Sequence, residues 1–135
     1  MSKVSILDAS VVLAYLQQEQ GQDRVEAALD AGECWLTAVN LCEGLGKLCE
    51  KGMPLPEAQS AIDDLGLAVM NFDAELAGLA ASLRVKTKPI GASLGDRACL
   101  SLAEQTAKTH ETVVVYTAEQ TWVKLKWPFK VVVIR

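Results

Sequence analysis

Short apolar runs and amphipathic stretches alternate along the chain from end to end. Apolar runs occupy residues 4–7, 34–36, 67–70, 113–116 and 131–134, and runs of three or four apolar residues bounded by turn signals predict strands. Between them lie helical patterns. Asp8-Ala9-Ser10 leads into an apolar helix over 11–16, and a second amphipathic helix runs over 22–31 until Gly32 stops it. Over 38–51, Ala38, Leu41, Cys42, Leu45, Leu48 and Cys49 fall at i, i+3, i+4, i+7, i+10 and i+11, one stripe of a helix. That stripe reads Cys42 and Cys49 as small core residues. Pro54 and Pro56 open a helix over 56–65, closed by Gly66. Asp73 caps a helix through 83, and 87–92, with Pro89 and Gly91, reads as a loop. Ser93-Leu94-Gly95-Asp96 has the form of a capping box opening a helix to about 108, and 117–123 reads as a turn and short helix.

Short apolar strands separated by helices predict an α/β fold with a mainly parallel sheet covered on both faces. In such sheets ligands collect outside the carboxyl ends of the strands, where Asp8 follows the first strand and Glu119 the fourth. The 135 residues suit one domain, 1–135, at roughly 100–200 residues per domain. A chain 50% hydrophobic and 22% charged is too apolar to stay disordered. No apolar run approaches the ~20 residues of a membrane span. Met1-Ser2-Lys3 leads straight into a strand rather than a signal peptide, so a cytoplasmic location with no membrane partner is expected.

Charge is uneven behind the net −4. Residues 1–83 carry four Lys/Arg against thirteen Asp/Glu, whereas residues 84–135 carry nine against four. Cations gathered on one rim can meet a polyanion even on an acidic protein, and Arg84, Lys86, Lys88, Arg97, Lys124, Lys126 and Lys130 are the candidates. Four cysteines without a CxxC pair exclude a zinc finger, and the single His110 excludes any mechanism needing two histidines. No GxGxxG follows a strand. Gly46-Lys47 lacks both the glycine and the hydroxyl of a P-loop, because Leu41 and Leu48 stand there.

What remains is a set of carboxylates in unusual places. Asp8 sits at the sheet rim. Glu43 flanks the apolar stripe of its helix, with Gly46 one turn on leaving space beside it. Asp96 lies in a first helical turn, where the helix dipole favours an ionised acid, and Glu119 ends another strand region. Each also has a plain structural use: Asp8 as a cap, Glu43 as a flank residue, Asp96 as the acid of the capping box, Glu119 as solvated surface. If three of them meet, each pair repels by about 4 kcal/mol at 4 Å and an effective dielectric of 20, so protons or a cation must compensate. Oxygen-only donors suit Mg²⁺ or Mn²⁺, and the chemistry such a site supports is phosphodiester hydrolysis.

The sequence resembles the PIN-domain family, and within it the VapC-type toxins. The resemblance is carried by Ile6-Leu7-Asp8-Ala9-Ser10, Ala38-Val39-Asn40-Leu41-Cys42-Glu43, Phe72-Asp73-Ala74-Glu75-Leu76-Ala77, Ser93-Leu94-Gly95-Asp96-Arg97-Ala98-Cys99-Leu100 and Val115-Tyr116-Thr117-Ala118-Glu119-Gln120-Thr121-Trp122. It implies a three-layer αβα fold and a metal-dependent endoribonuclease. Asp8, Glu43 and Asp96 would hold Mg²⁺ (or Mn²⁺), with Ser10 and Thr117 as polar support. The fourth acid, commonly aspartate in the family, is here Glu119, longer by one methylene. The resemblance further implies an RNA substrate such as tRNA, a VapB-like antitoxin partner placing an arginine near the acids, and a homodimer. Two other readings stay open: a PIN-like fold that only binds a partner, and a phosphoacceptor domain using Asp8, Asp73 and Thr117.

Overall fold

The computed structural model describes residues 3–135, so Met1 and Ser2 lie outside the described residues. Five strands, β1 (Lys3–Leu7), β2 (Cys34–Thr37), β3 (Ala68–Met70), β4 (Thr112–Thr117) and β5 (Lys130–Val133), form one sheet in the order β3-β2-β1-β4-β5. Every neighbouring pair is parallel. Six helices connect them: α1 (Ala9–Leu16), α2 (Gln22–Ala31), α3 (Ala38–Glu50), α4 (Leu55–Asp63), α5 (Ala74–Thr87) and α6 (Leu94–Ala107). The chain first builds outward from β1 to β3, then returns to the other side of β1 with β4 and β5. The strand order therefore reverses between β1 and β4, and a crevice opens there at the carboxyl ends. No described helix is long and apolar enough to cross a membrane.

Alternation along the central strands feeds two cores, as a sheet covered on both faces requires. Val4 and Ile6 of β1, with Val113 and Val115 of β4, pack against Leu76 and Leu83 of α5 and Leu100, Leu102 and Ala103 of α6. Leu7 and Leu36 face the other way, onto Val11 and Val12 of α1, Val25 of α2, Leu48 of α3 and Ile62 of α4. The predicted αβα layering is the observed one.

Four local expectations are corrected. The buried line of α3 is Asn40, Gly44 and Leu48, leaving Cys42 and Cys49 exposed. Asn40 donates from Nδ2 to the Gly95 carbonyl at 3.1 Å, and that tie to α6 turns the cysteine edge outward. Arg97, expected among outward cations, is buried at 9% exposure, with Nη1 donating to the Ala80 carbonyl at 3.1 Å. Lys86 is committed to the C-terminal segment: its ammonium lies 3.9 Å from the centre of the Trp127 ring and donates to the Lys126 carbonyl at 2.6 Å. The predicted loop at 87–92 contains a 3₁₀ turn, Lys88–Ile90, because α5 runs on to Thr87 and Gly91 takes φ +63° to end the turn.

Candidate active site

Asp8 leaves β1 and caps α1. Its Oδ1 accepts from the Val11 amide at 3.1 Å and the Ser10 hydroxyl at 2.5 Å. Its Oδ2 accepts from the Thr117 hydroxyl at 2.6 Å. Thr117 is the last residue of β4, so this bond joins the two strands that flank the crevice. The Thr117 oxygen in turn accepts from the Glu119 amide, and the Ser10 oxygen from the Ala118 amide, each at 3.0 Å. Ser10 and Thr117, the two polar residues expected beside Asp8, both donate to its carboxylate. Burial pushes the Asp8 carboxyl up from 3.8 to about 6; the three bonds pull the other way and the Asp96 charge adds to the rise.

Glu43 projects from the middle of α3 and is held by Asn40, whose Nδ2 donates to Oε1 at 2.9 Å. Asn40 is itself fixed by Thr37, the α3 cap: the Thr37 hydroxyl donates to Asn40 Oδ1 at 2.7 Å and accepts from the Asn40 amide at 3.0 Å. The close neighbour of Glu43 is Gly95 of α6, where a Cβ would fall on the Glu43 carboxylate. Gly46, expected to make that room, faces open space. Asp96 completes the predicted capping box, with Oδ2 accepting from the Ser93 amide at 3.0 Å and the Asp96 amide donating to Ser93 Oγ at 3.1 Å. Glu119 lies at the exposed start of the 3₁₀ segment Gln120–Lys124.

Asp8, Glu43, Asp96 and Glu119 line one cavity of about 500 Å³. Beneath it, the buried Cys99 thiol is pushed well up, first by burial and then by the charges of Asp8, Asp96 and Glu43. Three distant segments therefore aim negative charge at one place. Asp73 is spent on capping α5, accepting from the Leu76 amide at 2.9 Å, and lies outside the cavity, so the phosphoacceptor arrangement is not assembled.

Among the described residues, no three His, Cys, Asp or Glu side chains stand close enough to form a finished ligand cluster. The donor chemistry nonetheless fits a hard cation. A carboxylate has about four lone-pair sites, and the bonds above leave free positions on Asp8, Glu43 and Asp96. All donors are oxygen, and like charges share one cavity. Such a set suits Mg²⁺ or Mn²⁺ better than a soft metal.

Sequence reasoning missed the cations of this cavity. Lys47, Lys51 and Arg135 line the same cavity. Arg135 pairs with Glu19 at 3.1 Å, and in the orientation that satisfies both its groups the Gln17 amide accepts from Lys51 at 2.9 Å and donates to Glu19 at 3.1 Å. The signal was present, since Glu43, Lys47 and Lys51 fall at i, i+4 and i+8 on one helix face. Thr37 and Asn40 were missed as well. Of the candidate outer cations, Arg84 and Lys88 line a second cavity, whereas Lys124 and Lys126 line neither.

The PIN-domain family model matches residues 5–127. No curated protein sequence matches the chain. Among solved structures, the chain is similar to VapBC2 from Rickettsia felis bound to a promoter DNA fragment (15% identity, 96% of this chain and 97% of that one, TM-score 0.69). It is likewise similar to DNA-bound VapBC from Salmonella typhimurium (14%, 98% and 98%, 0.68). A third is VapBC-5 from Mycobacterium tuberculosis, a member of the VapBC family of toxin–antitoxin systems (19%, 96% and 97%, 0.61). At these identities the likeness is one of fold.

Proposed function

This chain belongs to the PIN-domain family, and from that premise we propose that it is a metal-dependent endoribonuclease, the toxin of a VapBC-like pair. The observation that carries the reading is the gathering of Asp8, Glu43, Asp96 and Glu119, from four separate segments, into one cavity where the strand order reverses. Helix capping accounts for Asp8 and Asp96 one at a time, not for four acids converging on one cavity. Burying Asp8 beside Asp96 raises its pKa, a destabilising arrangement of the kind that marks functional sites.

Asp8, Glu43 and Asp96 would hold Mg²⁺ or Mn²⁺. When bound, a hard divalent cation supplies Lewis-acid polarisation of the phosphate and a counter-charge to the acids. The chain's own residues do the rest. Ser10 and Thr117 fix the Asp8 oxygens, and Asn40 fixes Glu43, so the donors are oriented before substrate arrives. Hydrolysis needs a water in line with the leaving oxygen and a base to take its proton. Glu43 or Glu119 serves as that base, with Glu119 at the mouth of the cavity. Lys47 and Lys51 line the same cavity as the acids and would bind phosphate oxygens of the strand.

The same acids fit an arginine from an antitoxin segment laid across the cavity, because a guanidinium fork pairs bidentately with carboxylates. The fold neighbours are toxin–antitoxin complexes, which supports such a partner here, with a second copy of the chain completing the assembly. The test is cleavage of labelled single-stranded RNA and tRNA by wild type, Glu43→Gln and Asp96→Asn, with Mg²⁺ and with chelator. Cleavage should require the metal and fall by at least about a hundredfold in each variant. Equal cleavage under all conditions, or none by wild type with any divalent ion, would overturn the reading.

A further inference from the structure

A second cleft, of about 720 Å³, lies between the end of α5, the 3₁₀ turn after it and the start of α6. Its lining contains Arg84, Lys88 and Arg97 and not one Asp or Glu, on a chain whose net charge is −4. Acids that could neutralise these cations are absent from the pairing as well: among the described residues none of the three forms a salt bridge. Arg97 is the most telling. It is nine-tenths buried, and among the described residues its side chain bonds only from Nη1 to the Ala80 carbonyl and its Nε has no partner. A guanidinium taken out of water without a counter-charge is costly to the fold, and an anion in the cleft would supply one.

Position narrows the class of anion. Ser93 lines this cleft and also the acid cavity, so the Ser93–Asp96 capping turn is the wall between them. A chain with a phosphate at every step can sit over the acids and still reach the cations on the far side of that turn. Leu94, 53% exposed, and Val85, 85% exposed, stand in the cleft beside the charges, which suits a ligand that alternates charge with flat apolar surface. Lys86, by contrast, is turned away onto Trp127, whose ring is also stacked on Phe129, so that aromatic pair is already engaged within the chain.

We infer that the cleft formed by Arg84, Lys88 and Arg97 is a backbone-phosphate subsite for a single-stranded RNA whose scissile linkage lies in the neighbouring acid cavity. The inference rests on the nuclease reading for the second half of that statement and on the cleft itself for the first. It makes the substrate an extended strand crossing the capping turn, so that affinity depends on length on one side of the cut.

The experiment measures binding of short and long single-stranded RNA across a range of salt, in chelator, for the wild-type chain and two charge-matched variants. Arg84→Gln/Lys88→Gln alters the cleft at two exposed positions. Lys3→Gln/Lys108→Gln removes the same charge at the opposite end of the sheet. For long RNA the cleft variant should bind roughly tenfold more weakly and show a salt slope shallower by roughly 1.4, at about 0.7 per phosphate contact on a single strand. The control variant should match wild type, and the short RNA should not distinguish the three. Equal affinity and slope for the cleft variant and wild type, or equal losses in cleft and control variants, would overturn the subsite. So would loss of binding of an acidic peptide with RNA binding intact, since that outcome assigns the cleft to a protein partner. The two readings fail separately: wild type that cleaves RNA while the cleft variant binds normally removes only the subsite, and a cleft-dependent loss of binding without cleavage removes only the nuclease.

Discussion

Replacing Asp8 by asparagine should stabilise the metal-free protein at neutral pH and destabilise nothing but the chemistry. Asp8 is 3% exposed and its carboxyl is raised from 3.8 to about 6, first by burial. Between those two values the native chain keeps a proton that the unfolded chain has released, so stability falls as pH rises. The favourable contribution is complete below pH 3.8 and is lost as pH passes through about 6. A rise of roughly two units at 1.36 kcal/mol each makes that loss about 3 kcal/mol. Asparagine does not titrate, so it escapes the loss, but it offers one acceptor oxygen where Asp8 uses two. The bond from the Thr117 hydroxyl then has to be remade with opposite polarity, at a cost of about 1 kcal/mol. The variant should therefore be more stable than wild type by about 2 kcal/mol at pH 7.5. Urea unfolding of both proteins in chelator, at intervals from about pH 4 to about pH 8, isolates the term because other groups cancel in the difference. A stability difference that stays flat across that window, or moves in favour of wild type as pH rises, would refute the reasoning. Added Mg²⁺ should raise wild type alone, by mass action on the folded state.

Further outcomes follow from neighbouring contacts. Thr117→Val keeps the shape of the side chain but removes a donor to Asp8 and the acceptor of the Glu119 amide; it should cost about 1–3 kcal/mol at neutral pH by urea unfolding. Gly95→Ala places a methyl on the Glu43 carboxylate while improving helix propensity by about 1 kcal/mol, so thermal stability should hold while RNA cleavage drops by more than about tenfold. Asn40→Ala leaves the Gly95 carbonyl and Glu43 without their shared donor, and should lower both stability, by about 1–3 kcal/mol, and Mg²⁺ affinity, by roughly tenfold or more, read by calorimetry.

The layered fold was legible because strands and helices impose different periods, and the apolar runs of this chain are short and cleanly bounded. Caps were legible for the same local reason: Asp73 and the Ser93–Asp96 pair act within four residues of themselves. Asp8, Asp96 and Glu119 could be nominated from their places at strand and helix ends and Glu43 from the flank of an apolar helix stripe, and the four do share a cavity. What stayed hidden depends on partners far along the chain. Asn40 looks like an ordinary polar residue until the Gly95 carbonyl, 55 residues on, accepts from it, and that same bond decides which edge of α3 is buried. Arg97 reads as a surface cation beside a capping box, yet the Ala80 carbonyl of α5 draws it inside. Gly95 could not be told from a helix-weakening glycine without knowing what approaches it.

Two of the four acids hold positions that a helix start would reward in any case: Asp8 caps α1 and Asp96 closes the box that begins α6. A descendant that abandoned catalysis would still be selected to keep an acid at such places, so their survival is poor testimony of activity. Glu43 caps no helix, sitting mid-helix against Gly95, where a Cβ would fall on its carboxylate. Under the proposed nuclease reading, joint change at positions 43 and 95 is what should separate working enzymes of this architecture from their retired cousins.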